Sequence, residues 1–235
     1  MNLIKFDRKR LYQALAKQYL KVIVVFILLS NFATYTFSNW TIQKHRNNEP
    51  QRLYLLETAE PFVYDVGDFE QKVRSICHKL RVPPEWLMAV MHSESRFDAS
   101  VANFKGSGAT GLIQFMPTTA EDFDITTAKL RNLNHVQQLD YVYAYFDAKR
   151  KQYKQYETLT DLYLAVLYPK ALGEDYCYTL YAEPSKPYEM NKGLDVNKDG
   201  RVTVQDIDLF LKQKYTTAYS INKPSFWGNL VTSVW

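Results

Sequence analysis

One glutamate at the end of an apolar run is the side chain of this 235-residue sequence best placed to do chemistry. The run reads Trp86-Leu-Met-Ala-Val-Met-His-Ser-Glu94-Ser95-Arg96-Phe97. A polar stretch follows, then Gly106-Ser-Gly-Ala-Thr-Gly111-Leu112-Ile113-Gln114-Phe115-Met116-Pro117-Thr118-Thr119. A carboxyl in that setting loses hydration and meets the negative end of a helix dipole, and both disfavour its anion. It therefore suits a reaction in which an acid must keep its proton near neutral pH. Cleavage of a glycosidic bond is such a reaction, because the leaving oxygen has to be protonated and the same group then acts as a base. The plainer reading, a solvated surface glutamate, would hold for Glu94 taken alone.

The neighbours shift that balance. Phe97 is expected to wall the carboxyl, and Ser95 to bind substrate or cap the helix end. Gly106, Gly108 and Gly111 allow backbone to approach a ligand closely. Gln114 offers an amide that both donates and accepts, as the acetamido and hydroxyl groups of an amino sugar require. His92, two positions before Glu94, faces another side of the helix and reads as a packing or surface residue. Asp98, Glu121, Asp122 and Asp124 are the acids available as a second carboxylate, and none falls in an assignable motif.

A second cluster lies at Asp195-Val-Asn197-Lys-Asp199-Gly200-Arg201-Val-Thr203-Val-Gln-Asp206. Oxygen-bearing residues at loop positions 1, 3, 5, 9 and 12, glycine at 6 and a backbone carbonyl from Arg201 at 7 follow the register of an EF-hand calcium loop. Aspartate stands at position 12 where glutamate is usual. The expected ligands are Asp195, Asn197, Asp199, Arg201, Thr203 and Asp206, with Ca2+ in a structural role. The same residues also suit a metal-free Asx-rich turn.

The elements that must carry these groups are helical. Phe69, Val73, Ile76, Cys77 and Leu80 recur at helical spacing. Pro83-Pro84 ends that helix and starts the next, since proline is tolerated in a first turn. Leu87, Val90 and Met91 mark the buried face of the second helix. Two further helices are expected over 137–149 and 159–167. No sustained alternation occurs between 69 and 180, so the fold class is mainly α. Residues 184–193, with Pro184, Pro187 and Gly193, read as a break. Boundaries follow: a basic N-terminus and hydrophobic helix over 1–40, a linker over 41–68, a catalytic domain over 69–183, and the calcium-type loop with an aromatic tail over 184–235.

The ordered set Glu-Ser-x-Phe, then Gly-x-x-Gly-Leu-Ile-Gln-x-Met-Pro-x-Thr-Ala, resembles the lytic transglycosylase domain family of the lysozyme-like superfamily, over about Phe69 to Leu172. The resemblance implies a goose-type lysozyme-like helical fold and peptidoglycan as substrate. It implies cleavage of the MurNAc-GlcNAc β-1,4 bond by attack of the muramic C6 hydroxyl, which leaves a 1,6-anhydro end. It assigns the acid to Glu94 and substrate contacts to Ser95, Phe97, Gly111, Leu112, Ile113, Gln114 and Met116; Tyr168, displaced by one residue from the family's tyrosine, either points into the cleft as a further contact or is plain core. The family's Ala-Tyr-Asn-Ala-Gly run is replaced here by Leu164-Ala-Val-Leu-Tyr168-Pro-Lys-Ala171. That departure resembles the muramidases of bacteriophage particles and leaves open a water-using muramidase, or a glycan-binding scaffold that does not cut. One acid without an assignable partner favours the transglycosylase.

The N-terminus carries Lys5, Arg8, Lys9, Arg10, Lys17 and Lys21, and the stretch 22–40 is uncharged and ends in Trp40. That is close to the roughly 20 residues a spanning helix needs. The excess of basic residues before it places the N-terminus in the cytoplasm. We expect an uncleaved signal anchor with the catalytic domain on the periplasmic or extracytoplasmic side. A cleaved signal peptide and a helix buried in a phage particle or an envelope complex are the alternatives. The partners expected are therefore peptidoglycan strands, the membrane, and virion or envelope-complex subunits. A net charge of +4 is no nucleic-acid signature. Cys77 and Cys177 show no metal spacing, and the sequence leaves open whether they pair.

Overall fold

The structure, a computed structural model, describes Thr34, residues 52–103 and residues 106–223. The anchor read over 22–40 lies outside the described residues except for Thr34, and so do the last residues of the aromatic tail. Among the described residues no helix is long and apolar enough to cross a membrane.

From Leu53 onward the described residues form one compact unit, in which helices precede a small two-stranded ladder. It begins earlier than the expected boundary at Phe69. A one-turn helix, α1 (Leu56–Ala59), lies inside the expected linker, and Leu53, Leu56, Ala59 and Val63 are all buried. Four apolar residues over so short a turn give no period to read.

Helix α2 (Val66–Leu80) starts where Asp65 accepts a hydrogen bond from the Asp68 amide at 2.9 Å, which satisfies one of the free donors of a helix N-terminus. It buries the five residues whose spacing announced it: Phe69, Val73, Ile76, Cys77 and Leu80. Helix α3 (Pro84–Ser95) opens on proline and encloses every residue from Trp86 to Met91. A helix buried nearly all round is the centre of a bundle rather than a surface element. Short helices α4 (Pro117–Glu121) and α5 (Thr127–Arg131) follow. Then come α6 (His135–Gln152), begun by a reciprocal Asn134–Gln137 capping box, and α7 (Leu159–Leu167), begun by Thr158 and Asp161 in the same way. The α2 helix packs on α6 and α3, and α3 also packs on α7. The Tyr145 hydroxyl donates to the Ala165 carbonyl at 2.6 Å and joins α6 to α7.

A strand, β1 (Thr179–Ala182), pairs antiparallel with β2 (Arg201–Thr203), placing Tyr181 opposite Val202. Between them stands α8 (Lys186–Asn191), capped by Ser185. The sequence suggested a break here. Pro187 instead occupies the first turn of α8, where its missing N–H costs nothing, so it starts a helix rather than interrupting one. Helices α9 (Val204–Lys214) and α10 (Thr216–Ser220) complete the arm. Both cysteines are free, Cys77 enclosed in α2 and Cys177 exposed.

Candidate active site

Glu94 stands in the last turn of α3, half-buried. Burial pushes its carboxyl up to about 7, and the Lys214 ammonium opposes that shift. Among the described residues nothing is hydrogen-bonded to the carboxyl, so its raised value follows from lost hydration rather than from a partner. The surroundings are phenolic. Tyr145 and Tyr163 are buried, and each has its phenol pushed up by burial and by the Glu94 charge. Tyr215 is pushed up to about 12, mainly by burial. These phenols hold their protons throughout the neutral range. The Tyr163 oxygen accepts from Ser93 Oγ at 3.5 Å, which leaves the Tyr163 O–H to donate in its turn.

The helix ends abruptly beyond Glu94. Arg96 has φ 53° and Phe97 φ 68°. Left-handed backbone costs roughly 1–2 kcal/mol per non-glycine residue, and such conformations persist where the surroundings over-determine them. Here they do. His135 donates Nε2–H to the Phe97 carbonyl at 2.7 Å, which fixes that tautomer because a carbonyl only accepts. Ser95 Oγ lies 3.0 Å from the Leu112 carbonyl and 3.1 Å from that of Met91.

Through Ser95 the helix holds the 111–114 loop. Gln138 holds it from the other side. Its carbonyl accepts from the Leu112 amide at 3.0 Å, while its NH2 donates to Leu130 and Ala99 at 2.8 and 2.7 Å. Gly111 (φ +80°) has the Gln138 oxygen 2.7 Å from where a Cβ would stand, so only glycine fits against this latch. Gln114, also left-handed at φ 54°, donates its NH2 to the Gly111 carbonyl at 3.1 Å.

Several expected contacts therefore take another form. Ser95, Phe97, Gly111, Leu112 and Ile113 are enclosed. Their atoms lie in the interior of the fold, next to the turn that follows Glu94 and in the 111–114 loop. Phe97, wholly buried, packs on His92 with ring centroids 5.7 Å apart. Met116 is exposed and Gln114 half-buried, so these two remain reachable. Tyr168 packs edge-on against Tyr181 of β1 at 5.6 Å. The tyrosine of α7 that interacts with Glu94 is Tyr163, five positions earlier, which an apolar helical run disguises as core. Gln138, His135, Tyr145, Tyr163, Lys214 and Tyr215 were all missed by sequence reasoning. Of the acids considered as a second carboxylate, Asp98 is bound to the Ser100 amide and hydroxyl, and Glu121, Asp122 and Asp124 are exposed. A cavity of about 240 Å³ lined by Lys154, Asp161, Glu174 and Asp208 shares none of the residues of the Glu94 site.

In the calcium-type loop, Asp195 is buried and accepts from the Gly200 amide at 3.0 Å and the Tyr188 hydroxyl at 2.8 Å. Asn197 Oδ1 accepts from the Asp199 amide at 3.0 Å. Asp206 turns one oxygen to the Val196 amide at 3.1 Å and the other to the Thr203 amide at 2.9 Å and its hydroxyl. Among the described residues no three His, Cys, Asp or Glu side chains group as a metal site. Thr203 and Asp206 bond to each other as the cap of α9.

Residues 73–167 match the family model of the transglycosylase SLT domain. The matched segment contains Glu94, the 111–114 loop, Gln138, Tyr145 and Tyr163, and it closes with α7. The match supports lytic transglycosylase action on peptidoglycan in general terms, and the mainly helical architecture agrees with a lysozyme-like domain. No curated protein matches the chain.

Proposed function

We propose that this protein is a peptidoglycan lytic transglycosylase with Glu94 as its one acid and base. The observation that carries the reading is a carboxyl kept protonated to about pH 7 by burial at the end of α3, beside the loop of the matched segment. Protonated Glu94 gives its proton to the glycosidic oxygen between MurNAc and GlcNAc, and the bond from that oxygen to the MurNAc anomeric carbon breaks. The acetamido group of the substrate stabilises the cation left behind. The Glu94 carboxylate then takes the proton of the MurNAc C6 hydroxyl as its oxygen bonds to the anomeric carbon, giving the 1,6-anhydro sugar and restoring the acid. Gln114 and Met116 border the sugar. Mass spectrometry of muropeptides released from purified sacculi tests this: anhydro ends are expected, and reducing ends would assign a hydrolase.

The same proposal places the enzyme at the cell envelope through residues 22–40, or in a phage particle, on the strength of the length and flanking charge of that stretch. Calcium at Asp195, Asn197 and Asp199 would brace the arm and supply no catalytic group. Added Ca2+ should raise the melting temperature of the protein, and Asp195→Ala should abolish the rise. An unchanged melting temperature would remove the metal.

A further inference from the structure

The matched segment ends at Leu167, yet the helix that bears Glu94 is clasped by residues well beyond it. At the start of α3, the Trp86 indole donates to the carbonyls of Ala218 and Ile221 at 3.0 and 3.2 Å. In its last turn, His92 Nδ1 lies 2.9 Å from the Tyr215 hydroxyl, and the two rings meet edge to face at 5.7 Å. Tyr215 is 2% exposed. The arm is itself braced against α7: Asp208 accepts from Thr160 at 2.7 Å and from Tyr219 at 2.8 Å, and Phe210 packs on Tyr163. Burial, with Lys214 and Arg96 nearby, keeps the His92 imidazole below its ordinary value and so neutral. A neutral imidazole carries one N–H, so His92 and Tyr215 share a single hydrogen bond, donated by the phenol or by Nδ1 according to the tautomer. Two residues after His92 comes Glu94, and two after that the chain turns left-handed. His135 and Ser95 hold the chain beyond Glu94, and the Tyr215 hydroxyl meets the helix on the other side of it, at His92.

We propose that Tyr215 is a positioning residue of the Glu94 site: its hydroxyl, bonded to His92, fixes the last turn of α3 and with it the direction of the Glu94 carboxyl, so that the arm beyond the matched segment is a working part of the active site. This rests on Glu94 being the acid. A carboxyl aimed wrongly by a fraction of an ångström loses its line to the glycosidic oxygen, while the surface that binds the glycan is unchanged. The effect belongs in kcat rather than KM.

The test is Tyr215→Phe in the full chain, assayed on purified sacculi beside Glu94→Gln. This variant keeps the ring against His92 and removes only the hydroxyl. We expect kcat to fall about ten- to a hundred-fold, with KM and the melting curve close to wild type. His92→Phe should cost a similar factor, and the double variant little more than either single one, because the two residues act through one bond. A hydroxyl that only stabilises the fold would lower the melting temperature on removal and leave kcat intact, and that outcome overturns the proposal. So does wild-type kcat in Tyr215→Phe when Glu94→Gln is inactive. If Glu94→Gln retains wild-type activity, the assignment of the acid fails and the role of Tyr215 fails with it.

Discussion

The Glu94 carboxyl carries a stability cost that follows from its burial. Its folded value, about 7, exceeds its ordinary 4.5, so the folded state prefers the proton. Its contribution is fully favourable below pH 4.5 and is lost as pH rises through 7, at about 1.4 kcal/mol for each unit of pKa difference. Glu94→Gln, which cannot ionise, should therefore be more stable than wild type at pH 8 by about 1–3 kcal/mol and nearly equal to it at pH 4. Urea melts at the two values check this, and an equal difference at both would show that the carboxyl is not perturbed. Activity has the matching sign: kcat/KM should decline above pH 7 as the acid ionises. Lys214 favours the carboxylate, so Lys214→Met should move the declining limb to higher pH, and a pH–rate profile in dilute buffer measures it. At this scale the sequence singled out Glu94 as a candidate, because an apolar run ending in one glutamate before a glycine-rich loop is a rare order of residues. It hid Tyr145, Tyr163 and Tyr215, because a tyrosine at helical spacing among leucines is indistinguishable from core until the fold brings it to a carboxyl.

Among the elements, the 111–114 loop depends on a latch from a distant helix. Gln138 has no exposed surface and satisfies three backbone groups, on Leu112, Leu130 and Ala99. Leaving buried polar groups unpaired costs about 1–3 kcal/mol each, although groups near the surface recover part of that from water. Gln138→Leu should destabilise the protein by about 2–4 kcal/mol and lower activity further by loosening the loop. Chemical denaturation measures the first effect, and a loss under 1 kcal/mol would show that the latch is dispensable. Helix α2 was legible because its buried face is periodic, and α3 because proline stands at its head; the caps at Asp65 and Asn134–Gln137 emerge only in the fold. Helices α1 and α8 and the β1–β2 ladder were not, being too short to show a period. Their stability comes from packing and from side chains such as Ser185, which caps α8. The loop at 195–206 was legible as a register of oxygens. Which of those oxygens face one another was not, since Thr203 and Asp206 serve the cap of α9.

In the molecule as a whole, the helices of the matched segment and the C-terminal arm share one core, which runs from Leu53 to Ala218 and includes Val202, Ile207 and Leu211 of the arm. The arm is therefore expected to melt with the rest. Calorimetry should show a single cooperative transition for the unit that begins at Leu53, and an early separate transition in the wild-type protein would contradict that coupling. The architecture also accounts for the placement of the chemistry. A helix buried almost all round ends in a carboxyl, the loop that follows is latched to it by Ser95 and Gln138, and tyrosines from α6, α7 and the arm surround it. The most direct measurement of the central claim is the muropeptide profile of sacculi treated with wild type and with Glu94→Gln. The expected result is 1,6-anhydromuramyl ends from the wild type and no release by the variant. Equal release by both proteins would contradict the claim that Glu94 is the acid.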